Sequence, residues 1–345
     1  MKHTLHMLAL AFSIGTGHTA SADTFQTGMR NIAIKDGNTE RPLEGILWYP
    51  AEADAAVSKQ HSNAVWIGVE AAKDADAVAG SYPLVVLSHG MYGNARNQNW
   101  LADELGQEGY VALSLNHPGT STWLRDPDHA RELWERPKDV SRAIDFALSD
   151  SELSALINPE RIFMAGHSLG GMTAVQLAGG RQDLAQTDTI CAADPSELIC
   201  SIIELWQLGK TPEDRAEMAK DLSDPRLKGI AVLDLGGTQT FSAESLGAID
   251  TPMFVLGAPK DVQGSLNLDV ESRALMAQLP SGIASYLEPA TLAHFDMLGT
   301  CSDIAIPILE EEAKGDGMIC IDGTGERVAD HTIVADALLA FFAQQ

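Results

Sequence analysis

Residues 166 to 170 place Ser168 between Gly166 and Gly170 in the spacing G-x-S-x-G, after the apolar run RIFMA and before LGGMTAVQLA. By composition alone such a spacing arises in roughly one chain in ten of this length. The context carries the weight: a serine on a tight strand-to-helix turn is exposed as a nucleophile, and the two flanking segments have the character of a strand and a helix. A side chain at either glycine would meet neighbouring backbone, and the helix N-terminus lends partial positive charge where an oxyanion must form.

A serine hydroxyl needs a base, and the base needs an acid to orient it and stabilise its charged form. For a nucleophile on this kind of turn the chain order is serine, acid, histidine. Only His294 and His331 follow Ser168. His294, in LAHFDML, follows the last strand-like run and is the expected base; His331 is expected to be a surface or helix-start residue. Asp261, at the end of PMFVLGAPKD, is the first choice of acid. Asp234, in AVLDLGG, is the second, one strand earlier. Asp296 is too near His294 along the chain to orient it from behind, and Asp269 is also disfavoured. The expected oxyanion donors are the backbone N–H groups of Leu169 and of Met91 in SHGMYGN. His89 and His167 are expected to be packed, hydrogen-bonded residues, and His117 either lines the pocket or is structural.

These residues need a scaffold that delivers them to one edge. MRNIAIKD and LEGILWYP read as antiparallel strands. YPLVVLSHG, YVALSLNHPG and RIFMAG read as strands buried on both faces. They alternate with a helix from Asn97 to Gln107 and with RPKDVSRAIDFALSD, where Pro137 suits a first helical turn. The alternation predicts an α/β architecture with a mainly parallel sheet and helices on both faces. Residues 181–228 break the rhythm with helix-like segments and no buried strand, and are expected to form a small helical cap within one domain, 23–345. Strand-like GIAVLDLGG, PMFVLGAPKD and ASYLEPA follow, with a helix from Asp269 to Leu279 and a last helix from His331 to Ala343.

The first 22 residues have Lys2, an apolar stretch through Ile14 and the triplet Ala20-Ser21-Ala22. This is the layout of a secretory signal peptide cleaved after Ala22, so a secreted or periplasmic protein is expected. Four cysteines suit an oxidising compartment, paired as Cys191–Cys200 and Cys301–Cys320. A formal net charge of −25, from 48 Asp and Glu against 23 Lys and Arg, disfavours nucleic acid and anionic lipid as partners. No later stretch has the length of a membrane span. GDGMICIDG, with Asp316 and Asp322, lacks EF-hand spacing and is expected to be a solvated, disulfide-tied turn. No metal or cofactor is expected, and the oligomeric state is open.

The ordered set LWYPA, LSHG, HPG, RPKDV, GHSLGG and AHFDML resembles the α/β-hydrolase family of predicted dienelactone hydrolases, which is similar to platelet-activating-factor acetylhydrolases and bacterial cutinase-like polyester hydrolases. GAPKD resembles the segment that carries the acid in cutinase-like enzymes, which favours Asp261; the acetylhydrolase relatives place their acid one strand earlier, which keeps Asp234 open. True dienelactone hydrolases have a cysteine at the turn where this chain has Ser168. The resemblance therefore implies a serine carboxylic-ester hydrolase acting on short- to medium-chain esters, with polyesters as a further substrate class. A peptidase on the same fold and a catalytically silent binding protein are the alternatives.

Overall fold

The computed structural model describes residues 25–38, 40–260 and 266–345. The expected signal peptide therefore lies outside the described residues, as does Asp261. In chain order the strands are β1 (Gln26–Ile34), β2 (Leu43–Ala51), β3 (Ser58–Gln60), β4 (Val69–Lys73), β5 (Tyr82–Ser88), β6 (Val111–Asn116), β7 (Ile157–His167), β8 (Leu227–Leu233), β9 (Met253–Leu256) and β10 (Ala284–Leu287). They form one sheet in the order β10-β9-β8-β7-β5-β6-β2-β1-β4-β3. The run from β10 to β6 is parallel, while β2 pairs antiparallel with both β6 and β1. The short strands β3 and β4 lie in a region where no strand is expected from sequence; SKQ and VEAAK are too polar for an apolar pattern to mark them.

Alternation along the central strands feeds two cores. Leu84, Val86, Ile162, Met164, Ile230 and Val232 face one side. Val85, Leu87, Phe163, Ala165, Ala231 and Leu233 face the other. Full burial of a Val, Leu, Ile or Phe contributes ~1.5–3 kcal/mol, so both faces must be covered. Helices α1 (Asn99–Gln107), α2 (Pro127–Arg131), α3 (Glu135–Ser149) and α4 (Leu169–Leu177) follow in chain order. Val140, Ile144, Met172 and Val175 of α3 and α4 join the first core, and Trp100, Leu101 and Leu105 of α1 join the second.

Between α4 and β8 the chain forms α5 (Leu184–Ala193), α6 (Leu198–Trp206) and α7 (Pro212–Met218), with no strand. Trp206, Leu208 and Met218 anchor this insertion in the first core. The Cys191–Cys200 disulfide ties α5 to α6, and Cys301–Cys320 closes a second loop. Helices α8 (Ala243–Leu246), α9 (Ser272–Gln278), α10 (Ala305–Glu312) and α11 (Thr324–Ala343) complete the fold. The last helix starts seven residues before His331, so this histidine is not a surface or helix-start residue. It is buried, stacked on Trp100 with centroids 3.9 Å apart, and its Nε2–H donates to the Asp296 and Leu298 carbonyls. Asp322 is likewise not solvated: its side chain is covered and ion-paired with Lys260.

Candidate active site

Ser168 sits between β7 and α4 with φ 55° and ψ −116°, a conformation costing about 1–3 kcal/mol that persists only where its surroundings enforce it. They do so through steric contact and hydrogen bonds. A Cβ at Gly166 would be driven into the Gly170 carbonyl, and a Cβ at Gly170 into the Ser88 carbonyl. The Ser168 N–H donates to the Leu233 carbonyl at 3.0 Å, and the Ser168 carbonyl accepts from Gly171 and Met172. Leu169 opens α4, whose first N–H groups have no intrahelical acceptor. Gly90, the residue before Met91, packs so tightly on the turn that a Cβ there would lie 3.1 Å from the Ser168 Cβ.

His294 begins a short 3₁₀ turn, His294–Met297, beyond β10. Its Nδ1–H donates to Asp234 Oδ2 at 2.6 Å, with side-chain exposures of 17% for the histidine and 1% for the aspartate. This orientation leaves Nε2 as the free ring nitrogen. Asp234 directly follows β8 at φ 46°, and its other oxygen accepts from the Ala258 N–H at 2.9 Å. The ring is thus engaged by the second of the two expected acids; the first, Asp261, has no described position. His294 also abuts the serine turn through His167, whose ring centroid is 4.6 Å away and whose Nε2–H donates to the His294 carbonyl at 2.9 Å. Burial and the neighbouring His294 hold His167 well below its usual range, so it is a neutral strut.

The loop carrying His294 is locked from below. Asp296 Oδ2 accepts from the Ala293 N–H at 2.7 Å, and Oδ1 accepts from Arg327 Nε at 3.0 Å. Arg327 is buried and also donates to the carbonyls of Gly299 and Ile319. Asp296 therefore shapes the histidine loop without touching the ring, and Asp269 is paired with Arg273 at 2.8 Å.

A second buried network lies beneath the loop after β5, and nothing in the sequence pattern marks it. His117 Nδ1–H donates to Asp139 at 3.0 Å, and His117 Nε2 faces Ser88 Oγ at 2.9 Å. Arg41 grips Asp139 through Nε and Nη2. Burial opposes ionisation of Asp139, but the bonds from His117 and Arg41 prevail and hold it at about 2. Arg136 donates to Ser88 Oγ, Thr120, Thr173 and the His89 carbonyl. Burial, reinforced by Arg41, lowers it to about 9. Although Ser88, His117 and Asp139 have the residue types of a triad, Ser88 has no exposed surface. The network instead fixes the main chain at His89 and Gly90. His89 is buried, as expected of a packed residue; of the two roles open to His117 the structural one fits, since it too is buried and is pushed down to about 4 by burial and Arg136.

Among the described residues no cluster of His, Cys, Asp or Glu could hold a metal ion, and no helix is long and apolar enough to cross a membrane.

A cutinase from Thermobifida cellulosilytica is 29% identical over 106 residues, 30% of this chain and 37% of that protein. A cutinase of Thermobifida fusca is 29% identical over 106 residues, 30% of each chain. A bis(hydroxyethyl) terephthalate hydrolase of Streptomyces coelicolor is 27% identical over 105 residues, 30% of this chain and 31% of that protein. The match thus spans about a third of these curated relatives. A ferulic acid esterase from Streptomyces cinnamoneus shares the fold with a TM-score of 0.60 at 17% identity, over 94% of this chain and 91% of that one. The alpha/beta hydrolase family model matches residues 85–332, from the first central strand through the histidine loop and into the last helix. With the parallel sheet, the serine turn after β7 and the histidine loop after β10 within that span, the chain belongs to the alpha/beta hydrolase family.

Proposed function

We propose that the protein is a serine carboxylic-ester hydrolase with Ser168 as nucleophile, His294 as base and Asp234 as acid. The observation that carries this reading is the 2.6 Å bond from His294 to a nearly covered Asp234, with the histidine loop held against the serine turn through His167. Nε2 of His294 takes the Ser168 proton as Oγ bonds to the acyl carbon. The carbonyl oxygen becomes an oxyanion held by the Met91 and Leu169 N–H groups, with the α4 N-terminus adding favourable potential. On collapse the C–O bond to the alcohol breaks and the imidazolium gives that oxygen its proton. Water, deprotonated by the same nitrogen, then attacks the acyl-serine, and the second tetrahedral intermediate releases the carboxylic acid and restores the Ser168 hydroxyl. Asp234 stabilises the imidazolium formed in each half-reaction.

The cutinase and terephthalate-ester relatives support esters as the substrate class, with short- to medium-chain esters first and polyesters as the further case. The helical insertion α5–α7 is read as the cap, and the two disulfides support export through the N-terminal signal. The test is turnover of p-nitrophenyl esters across acyl lengths, set against a matched amide panel. Ester turnover that disappears in Ser168→Ala supports the reading. Faster cleavage of amides than esters overturns it in favour of a peptidase, and no turnover of either in favour of a binding protein.

A further inference from the structure

The loops after β5 and β6, strands that follow one another on one side of β7, exchange arginines across aromatic rings. Arg96, on the loop after β5, lies over the Trp123 ring with Cζ 4.9 Å from its centroid; Arg125, on the loop after β6, lies over the Tyr92 ring at 4.4 Å. Trp206 of the helical insertion supports this clasp from beneath, packing edge-on against Tyr92 and donating from Nε1 to its hydroxyl at 2.7 Å. Tyr92 is held at φ 55°, an uncommon conformation for a bulky residue. Thr122 pins the loops together by donating to the Tyr92 carbonyl at 2.7 Å.

The electrostatics of this clasp are unusual for this molecule. The chain has 48 acidic residues against 23 basic ones, yet among the described residues neither Arg96 nor Arg125 has a carboxylate partner, and both are exposed. Most other arginines are matched with one: Arg131 with Asp214, Arg142 with Asp36, Arg215 with Asp188, Arg226 with Asp224. Two unpaired guanidinium groups are therefore displayed on a rim with Trp123, which is 59% exposed. The rim adjoins the expected oxyanion donor, since Tyr92 follows Met91 directly and can lie no more than about 8 Å from Gly90 along the chain.

We propose that this rim is a subsite for a carboxylate carried on a planar or aromatic substrate, so that the preferred esters are half-esters of dicarboxylic acids and the carboxylate ends of polyester chains. The guanidinium forks offer bidentate hydrogen bonds to a carboxylate, and Trp123 a face for the attached ring. This rests on the ester-hydrolase reading of Ser168 and extends it to a substrate class.

The test measures binding without turnover. Ser168→Ala protein is titrated by equilibrium dialysis with the monoethyl and the diethyl ester of benzene-1,4-dicarboxylic acid. The half-ester is expected to bind more tightly than the diester, and each of Arg96→Gln and Arg125→Gln to lower the affinity ratio about three- to fivefold, the pair together by roughly tenfold. The ratio also falls between about 20 mM and 0.5 M NaCl. Arg181→Gln, at an arginine between α4 and α5 that is paired with Glu244 and has no part in the clasp, controls for net charge and leaves the ratio unchanged. If the double variant changes thermal stability but keeps the parent ratio, the clasp only joins the loops and the proposal is wrong. A parent ratio at or below one also overturns it. Should the ratios behave as expected while the unmutated enzyme turns over no ester, the ester-hydrolase reading fails and the subsite stands.

Discussion

Replacing Asp234 with Asn probes the proposed triad at its least expected member. The amide keeps the acceptor that Ala258 uses and nearly the same volume, so the loop after β8 stays in place. It removes the negative charge 2.6 Å from His294 Nδ1 and offers an N–H₂ where an acceptor is needed. With charge centres about 4 Å apart and an effective dielectric near 20, the lost stabilisation of the imidazolium is ~4 kcal/mol, or about three decades in rate. The wrong imidazole tautomer adds to this, giving an expected loss of roughly 10³–10⁴ in kcat. The assay is steady-state hydrolysis of p-nitrophenyl butyrate with thermal unfolding as a control. Asp261→Asn, measured beside it, is expected to stay within about threefold. Loss confined to the Asp261 variant, with Asp234→Asn within tenfold of the parent, would refute the assignment of the acid.

Further expectations concern the scaffold. Arg327→Ala leaves the Asp296 carboxylate buried without its cation, which costs about 3–5 kcal/mol in urea unfolding; it should also loosen the His294 loop and lower kcat, and an unchanged midpoint would count against the locking role. Gly170→Ala drives a methyl into the Ser88 carbonyl and should yield little soluble, active protein, whereas Gly179→Ala meets no neighbouring atom and costs about 1 kcal/mol for its positive φ; equal expression and activity of the two would contradict the steric account. Burial keeps His89 and His167 well below 6.5 and lowers His117 and His331 to about 4. The unfolded chain therefore binds more protons at these sites, and unfolding free energy falls as pH drops from 6.5 toward 4, by ~1.4 kcal/mol per pH unit for each histidine. Glu271 and Asp296, raised chiefly by burial to about 7 and 6, oppose this over the same window, but the four histidines outnumber them; a urea midpoint that rises on acidification from pH 6.5 to 5 would contradict the balance. Glu271→Gln removes the carboxyl whose ionisation costs stability as pH rises through about 7, while an amide oxygen can still accept from Thr238. The variant should gain on the parent at pH 8.5 and lose that advantage at pH 5.

What the sequence disclosed follows from which signals are local. The strand-turn-helix that carries Ser168 was legible because its two glycines, the preceding apolar strand and the following helix are contiguous. His294 was singled out as the candidate base because only two histidines follow the serine. The acid was not, because Asp234 and Asp261 both follow apolar strands and the sequence does not say which strand end reaches the ring. Sheet order is what favours Asp234 in the proposed triad: β8 is next to β7, while β9 lies one strand further out, each step ~4.8 Å. Burial of charge was the other blind spot. RPKDVSRAIDFALSD reads as an amphipathic helix with a solvated polar side, yet Arg136 and Asp139 on it are fully covered, with partners contributed by the loops after β1, β5 and β6. His331 was misread for a related reason: its helix begins at Thr324 in a polar stretch without an apolar stripe, and the partners of the imidazole come from the distant 294–298 turn.

The central claim is that the strained serine after β7 is the group His294 activates, and the most direct measurement is the site of covalent capture. Protein treated with a fluorophosphonate should gain a single adduct that peptide mass mapping assigns to Ser168, and His294→Ala should slow its formation by at least a hundredfold. An adduct on another residue, or ester turnover that persists after Ser168 is shown to be unmodified, would contradict the account.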